Sequence, residues 1–397
     1  MNKEKDFGQG SVSANILRLA IPMTLAQLIN VLYNVVDRIY IGHIPHTSTQ
    51  ALTGIGLTLP VITIITAFAN LFGMGGAPLF SMARGADEPE RAERIMGNSF
   101  AMLLASGALL AVFCYLFKHP LLYLFGASDV TYPYANAYIS IYLLGTLFVM
   151  VSLGMNNFIN AQGFGVTGML TVSIGALLNL VLDPLFIFVF HMGVRGAATA
   201  TILSQCVSCI WVLHFLTGEK AIIKLTRKQL HLNFSLIREI SALGLSGFVM
   251  SITNSSVQIM CNATLQRYGG DLYVGIMTVI NSVREIITMP VMGITSGAQP
   301  IMSFNYGAKK YGRVKSAISF TAISCIVFTL VMWAFLFFFP HVFIQMFNSD
   351  PKLLKEGVPA MHLYFFGIFM MALQFAGQST FVALGKSRQA VFFSLFR

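Results

Sequence analysis

Residues 75–91 read GGAPLFSMARGADEPER, and residues 297–313 read GAQPIMSFNYGAKKYGR. A gapless shift of 222 residues lays Gly75, Pro78, Ser81, Gly85, Ala86 and Arg91 on Gly297, Pro300, Ser303, Gly307, Ala308 and Arg313. The register holds further along the chain. Phe117, His119 and Phe125 fall on Phe339, His341 and Phe347, and Tyr142, Gly145, Ala161 and Gly163 fall on Tyr364, Gly367, Ala383 and Gly385. One register kept this long means a duplicated unit. The matches concentrate at glycines and prolines, which are chosen for backbone reasons at helix ends and turns. The first unit runs from about residue 16 to 217. The second starts near 238 and stops at Arg397, about two helices short of a full copy, so a truncated second lobe is expected.

The repeated unit belongs to a membrane. The chain is 56% hydrophobic and only 10% charged, against about 25% charged in a soluble domain, and its mean hydropathy is +0.73. Apolar stretches long enough to span a bilayer lie near 16–41, 51–80, 95–117, 131–158, 167–190, 196–217, 237–265, 272–303, 316–339 and 357–384, and another begins near Gln389. The expected fold class is an all-α polytopic membrane protein. It has a polar tail over 1–15, a first lobe over 16–217, a linker over 218–236 and a second lobe over 237–397. Internal repeats in such a chain are the mark of secondary transporters, whose halves move about a shared cavity.

The net charge of +10 does not indicate nucleic acid. Lysine and arginine crowd the tail and the even-numbered loops, as at Lys3, Arg84, Arg91, Lys220, Lys309, Lys310, Arg313 and Lys386. The odd-numbered loops hold only Lys118, Arg195, Arg267, Lys352 and Lys355. This is the positive-inside pattern, with a cytoplasmic N-terminus. The partners expected are the lipid bilayer and small molecules. Cys206 and Cys209 form a C-x-x-C inside one span, with no second pair or nearby histidine to complete a zinc site. Gly385-Lys386-Ser387 lacks the earlier glycine and the strand of a phosphate loop. No nucleophile–base pair or metal cluster appears, so an intramembrane enzyme is disfavoured.

What remains is a short list of ionisable groups inside spans: Asp37, Asp183, Arg284 and Glu285. Such groups need a polar cavity or a partner. Gln27, Asn30, Asn34 and Asp37 are spaced 3, 4 and 3 apart, which places them within about 80° of one another on the first helix. One polar face on an apolar helix lines a cavity, although Asp37 could instead pair with Arg38. Asn179 and Asp183 share a face of the fifth span, with Gly175 one turn below and Pro184 following. Thr201, Ser204, Gln205 and Ser208 give the sixth span a hydroxyl and amide face. An Asn oxygen, one or two carboxylates and a hydroxyl make a hard-oxygen site for Na⁺, or a trap for a proton. Arg284 and Glu285 point about 100° apart on the eighth span, and either line the cavity or pair with other helices.

Three segments carry a resemblance: Val36-Asp37-Arg38-Ile39-Tyr40-Ile41-Gly42-His43-Ile44, Asn179 through Asp183-Pro184, and Gly193 through Thr201. With Asn160-Ala161-Gln162-Gly163 and Gly297-Ala298-Gln299-Pro300, they resemble the multidrug and toxic compound extrusion (MATE) family of bacterial efflux transporters over essentially the whole chain. The resemblance implies two pseudo-symmetric six-helix lobes about an axis along the membrane normal, with a V-shaped cavity between them. It also implies an antiporter that exports cationic amphiphilic drugs in exchange for H⁺ or Na⁺, with no other cofactor. The family's coupling site maps onto Asp37, Asn179, Asp183 and Thr201. We expect a monomer in the bacterial inner membrane, with a substrate cavity lined by Gln27, Asn30, Asn34, Asn254, Gln258 and Glu285.

The second lobe departs from the family pattern. Aligning the first and seventh spans pairs Asn30 with Asn254, Asn34 with Gln258 and Asp37 with Cys261. The amide stripe is kept and the acid is lost. Ion coupling is therefore expected in the first lobe, by protons in preference to Na⁺. A flippase for a lipid-linked oligosaccharide is the alternative. Its cavity must hold a pyrophosphate and should be rich in Arg and Lys, whereas these spans hold three acids against Arg38 and Arg284.

Overall fold

The computed structural model describes residues 7–44, 48–226, 231–345 and 351–395. They are helical almost throughout: α1 (Val12–Gly42), α2 (Ser48–Gly56), α3 (Leu59–Gly85), α4 (Pro89–Leu124), α5 (Tyr132–Leu144), α6 (Thr146–Ala161), α7 (Gly165–Pro184), α8 (Val194–Thr217), α9 (Phe234–Gly307), α10 (Tyr311–Phe338), α11 (Pro340–Gln345), α12 (Pro351–Phe365), α13 (Ile368–Ala383) and α14 (Ser387–Leu395). Among the described residues seven helices are long and apolar enough to cross a membrane, or up to nine if each bent pair counts as one span. Those pairs are α5 with α6, bent by 58°, and α12 with α13, bent by 41°. The sequence predicts ten spans. The difference falls on 272–303, which forms the second arm of α9. Asn281, Arg284 and Glu285 interrupt its apolar run. The two arms of α9 meet at Gly270, whose φ of 64° and ψ of −165° are non-helical.

The duplication is visible in the backbone. Asp87 and Lys309, one repeat apart, both take positive φ, at 60° and 58°, as do Gly163 and Gly385, at 93° and 71°. Each follows a helix end closed in the same way. Glu88 N–H donates to Ala83 O and Lys310 N–H to Asn305 O, both at 2.9 Å. Phe164 N–H donates to Ile159 O and Lys386 N–H to Phe381 O. These six-to-one bonds satisfy carbonyls that a helix end would otherwise leave bare.

The first half has a core drawn from α1 to α6 and α8, which includes Ile65, Phe80, Leu103, Met150 and Phe158. The second half packs a separate core around Ile280, Val283, Ile287, Met361 and Phe365. The two meet along a seam that only glycine allows. A Cβ on Gly75 would strike Ile240 O, and one on Gly244 would strike Leu71 O. Likewise Gly297 abuts Ala20, and Gly293 abuts Thr24. At the seam's end Gly85 sits against Phe304 O and Gly307 against Met82 O. Met82 and Phe304, like Gly85 and Gly307, are one repeat apart, so this contact is self-complementary, as a twofold axis requires.

The N-terminal segment is less of a tail than its polar composition suggests. Helix α1 begins at Val12, and Phe7 is 5% exposed, edge-on to Phe304 with ring centroids 5.8 Å apart. The Arg84 guanidinium lies over both rings. Carbonyls of Phe7, Gln9 and Gly10 accept from Arg313, and that of Gly8 accepts from Lys310. The segment thus ties the start of α1 to the second half. The linker is also held down. Asn98 Oδ1 accepts from Asn233 N–H at 2.7 Å, and the Asn233 side chain caps α9 by accepting from Ser235 and Leu236 N–H.

Replacing Gly85 or Gly307 by Val forces a side chain into a backbone, and overpacking of this kind costs about 1–3 kcal/mol. The purified variants are expected to melt several degrees lower than the parent. Gly377→Ala, with open space around its Cβ position, is expected to melt no lower. Equal melting of Gly307→Val and the parent protein would show that the seam is looser than described.

Candidate functional site

Three helices of the first half converge on a pair of carboxyls. Asp183 and Asn179, one turn apart on α7, are 1% and 2% exposed. α7 ends just beyond, at Pro184, because proline has no N–H to continue the ladder. A π-helical turn, Leu185–Val189, follows; such turns are frequent at functional sites. Half-buried Asp37 comes from α1 and neighbours Asp183 closely enough for the two carboxyls to interact electrostatically. Thr201 comes from α8, with its hydroxyl donating to Ala197 O at 2.9 Å. Asn179 Nδ2 donates to Asp183 Oδ1 at 3.2 Å and reaches Thr201 Oγ1 at 3.5 Å. The four residues predicted from sequence as a cation site are therefore brought together.

A cavity of about 320 Å³ opens beside this cluster, with Asn30, Asn34, Asn179, Thr201, Ser204 and Gln205 in its wall. Asn34 Nδ2 donates to Asn30 O at 2.7 Å and to Asn30 Oδ1 at 2.9 Å, so the amide ladder is knitted along α1. Asp37 Oδ1 and Ser204 Oγ are buried without a hydrogen-bond partner among the described residues. No ion pair joins Asp37 to Arg38 among the described residues, and Arg38 is exposed. The room that Gly175 leaves is taken by the Ser208 hydroxyl, which lets α8 lie close to α7.

Chemically, the cluster demands a cation. Two carboxylates that face each other away from water repel strongly, and only one can keep its charge unless a cation lies between them. A shared proton meets that demand. So does a hard cation with oxygen ligands, and carboxylate, amide and hydroxyl oxygens are all present. Among the described residues no group of three or more His, Cys, Asp or Glu gathers as a metal site, and all five cysteines are free.

The other predicted cavity residues divide. Asn254 and Gln258 line a second cavity of about 420 Å³ between the arms of α9, α12 and α13, together with Arg284. Gln27 and Glu285 are exposed and line none of the cavities described here. Between the halves lies a third space of about 190 Å³, walled by Asn70, Met74, Phe248, Met250, Met292 and Phe375. The sequence gives no sign of it, since its methionines and phenylalanines are spread over four distant segments and look like any packing residue.

An all-α, internally duplicated membrane protein with a buried acid pair beside a polar cavity is, as a class, a membrane transporter and not an enzyme. A family profile described as MatE matches residues 22–185 and 247–397, and the chain belongs to this family of multidrug efflux transporters. It is 24% identical over 391 residues to the multidrug export protein MepA of Staphylococcus haemolyticus (strain JCSC1435), covering 98% of this chain and 85% of that protein. It is also 24% identical over 393 residues to MepA of Staphylococcus aureus (strain NCTC 8325 / PS 47), covering 98% and 86%. Among solved structures it superposes on MATE in the straight conformation with a TM-score of 0.92 at 22% identity, covering 100% of this chain and 88% of the other. An outward-facing multidrug resistance MATE family transporter of the MOP superfamily also gives 0.92 at 22% identity, again covering 100% and 88%. The fold match runs the whole length of this chain, and the second half packs a core of its own. These matches lend the expected truncation of the second lobe no support.

A shared proton can be read chemically, because carbodiimides attack protonated carboxyls in apolar surroundings. Treatment with dicyclohexylcarbodiimide is expected to label Asp37 or Asp183, but not both in one molecule, by peptide mass spectrometry. Labelling of Glu285 with none at either aspartate would contradict the paired arrangement.

Proposed function

We propose that this chain is a secondary antiporter that exports cationic amphiphilic compounds in exchange for H⁺, by alternating access of two lobes. The carrying observation is the Asp37–Asp183 carboxyl pair, braced by Asn179 and Thr201, which line a polar cavity beside it. An ion that binds there cancels a charge in low dielectric, and an organic cation in the adjoining space competes for the same negative charge. One carboxyl pair can thus serve ion and cargo alternately, which is the requirement of exchange. The glycine seam supplies the moving part. Basic residues at its Gly85–Gly307 end support a cytoplasmic side there, and rocking about the seam would open and close the cavities in turn. The lobes are residues 16–217 and 237–397. The setting is the inner membrane of a bacterium, and one chain suffices as the working unit. The export proteins it resembles carry multidrug transport in their names, which supports chemically varied cargo.

A flippase is less well supported. A pyrophosphate-bearing cargo needs several converging cations, and Arg284 is the single cationic residue in the walls of the three cavities described. Na⁺ in place of H⁺ would meet the same oxygen donors.

Inside-out vesicles loaded with this protein should take up a fluorescent organic cation when a pH gradient is imposed, and not when a Na⁺ gradient replaces it. Asp183→Asn should abolish gradient-driven uptake while the protein still reaches the membrane. Undiminished uptake by Asp183→Asn would refute coupling at this pair. Asn254→Ala, in the other lobe, should change affinity for some cargoes and leave the ion requirement intact.

A further inference from the structure

The cavity of the second half plays no part in the ion site, and its chemistry is of the opposite sign. Its walls hold one charged side chain, Arg284, and no acid. The neighbouring Glu285 is exposed and does not reach it. Among the described residues Arg284 makes neither an ion pair nor a hydrogen bond. An arginine inside a membrane helix without a partner is costly and points to function. Two further groups are unsatisfied on the same walls. Asn281 is 9% exposed, and its Oδ1 has no hydrogen-bond partner among the described residues. Gln374 Nε2 is likewise buried and unpartnered. Buried polar groups are almost always satisfied, so two unmet amides beside a half-buried, unpaired guanidinium call for an occupant. Asn254 and Gln258 add two more amides, while Phe365, Ile368 and Met371 give the cavity an apolar side. About 420 Å³ falls within the range of small-molecule sites.

We infer that this cavity is a subsite for the carboxylate end of zwitterionic amphiphiles. The guanidinium matches a carboxylate, to which it can donate two parallel hydrogen bonds. Gln374 Nε2 adds a third donor, and Asn281 Oδ1 accepts from an N–H or O–H beside the carboxylate. The ammonium end of the same molecule belongs with the acids of the other half. Permanent monocations have no use for Arg284, which repels them. The two cavities would then sort cargo by charge: acids hold what every substrate shares, and Arg284 selects those that also carry an anion. The subsite presupposes the export function proposed above.

The test is binding to purified full-length chain in detergent, read by fluorescence or calorimetry, with three probes. One is a zwitterionic fluoroquinolone, one its methyl ester, and one tetraphenylphosphonium. Arg284→Ala should weaken binding of the zwitterion about tenfold or more, the effect of losing a charge-assisted hydrogen bond. It should leave the ester and the permanent cation within about twofold, or bind the cation more tightly. Arg284→Lys should restore part of the affinity for the zwitterion alone. Equal weakening of acid and ester, or of all three probes in a variant that keeps its elution profile and melting temperature, would overturn the proposal. So would a zwitterion whose affinity ignores Arg284. Binding is measured without transport. A failure of gradient-driven export would therefore count against the antiport proposal, and a failure of charge discrimination against this subsite.

Discussion

Two carboxyl groups held against each other inside a membrane cannot both remain charged and alone. Their repulsion in a low dielectric is the constraint around which the first half is built. Asp37 and Asp183 come from helices far apart in sequence. Their approach is fixed by the packing of α1 on α7 and by the Asn179 amide, which donates to Asp183 and reaches Thr201. The cavity beside them is lined by amides and hydroxyls, which can solvate an arriving ion without fixing its identity. The second half keeps the matching amides, Asn254 and Gln258, and has Cys261 where the first has Asp37. Duplication has thus produced two cavities of similar plan and different charge.

The same duplication explains the seam. A glycine selected once for close helix approach appears twice, and where the internal axis passes it meets its own copy. Gly85 against Phe304 and Gly307 against Met82 are one contact written in both directions. A surface that matches itself can separate and re-form as a unit, which suits a joint that must open and close. The N-terminal segment adds an asymmetric tie. Phe7 and the carbonyls after it are held by Arg313, Lys310 and Asn305, so the start of α1 moves with the second half at that end.

Much of this was legible in the chain, and the rest was hidden for identifiable reasons. The gapless repeat gave the helical plan, because glycine and proline positions are set by local backbone needs and survive divergence. The Asn179–Asp183 pair could be read from i,i+4 spacing, which a helix turns directly into contact. That Asp37 joins them followed from family resemblance and from no local rule. Gln27 shares the stripe with Asn30 and Asn34 yet lines none of the three cavities. Phe7 was invisible within a polar segment, because its partners, Phe304 and Arg84, are hundreds of residues or a whole helix away. Arg284 and Glu285 looked alike in sequence. Only the packing of α12 and α13 distinguishes the one that lines a cavity from the one that does not.

The central claim is that a coupling proton and an organic cation compete for one carboxyl pair. Proton release on substrate binding tests it most directly. Purified protein in weakly buffered detergent solution, titrated with tetraphenylphosphonium, should release protons in proportion to the cation bound, and should release none when both Asp37 and Asp183 are replaced by Asn. Cation binding without proton release in the unaltered protein, or undiminished release from the doubly substituted one, would contradict the account.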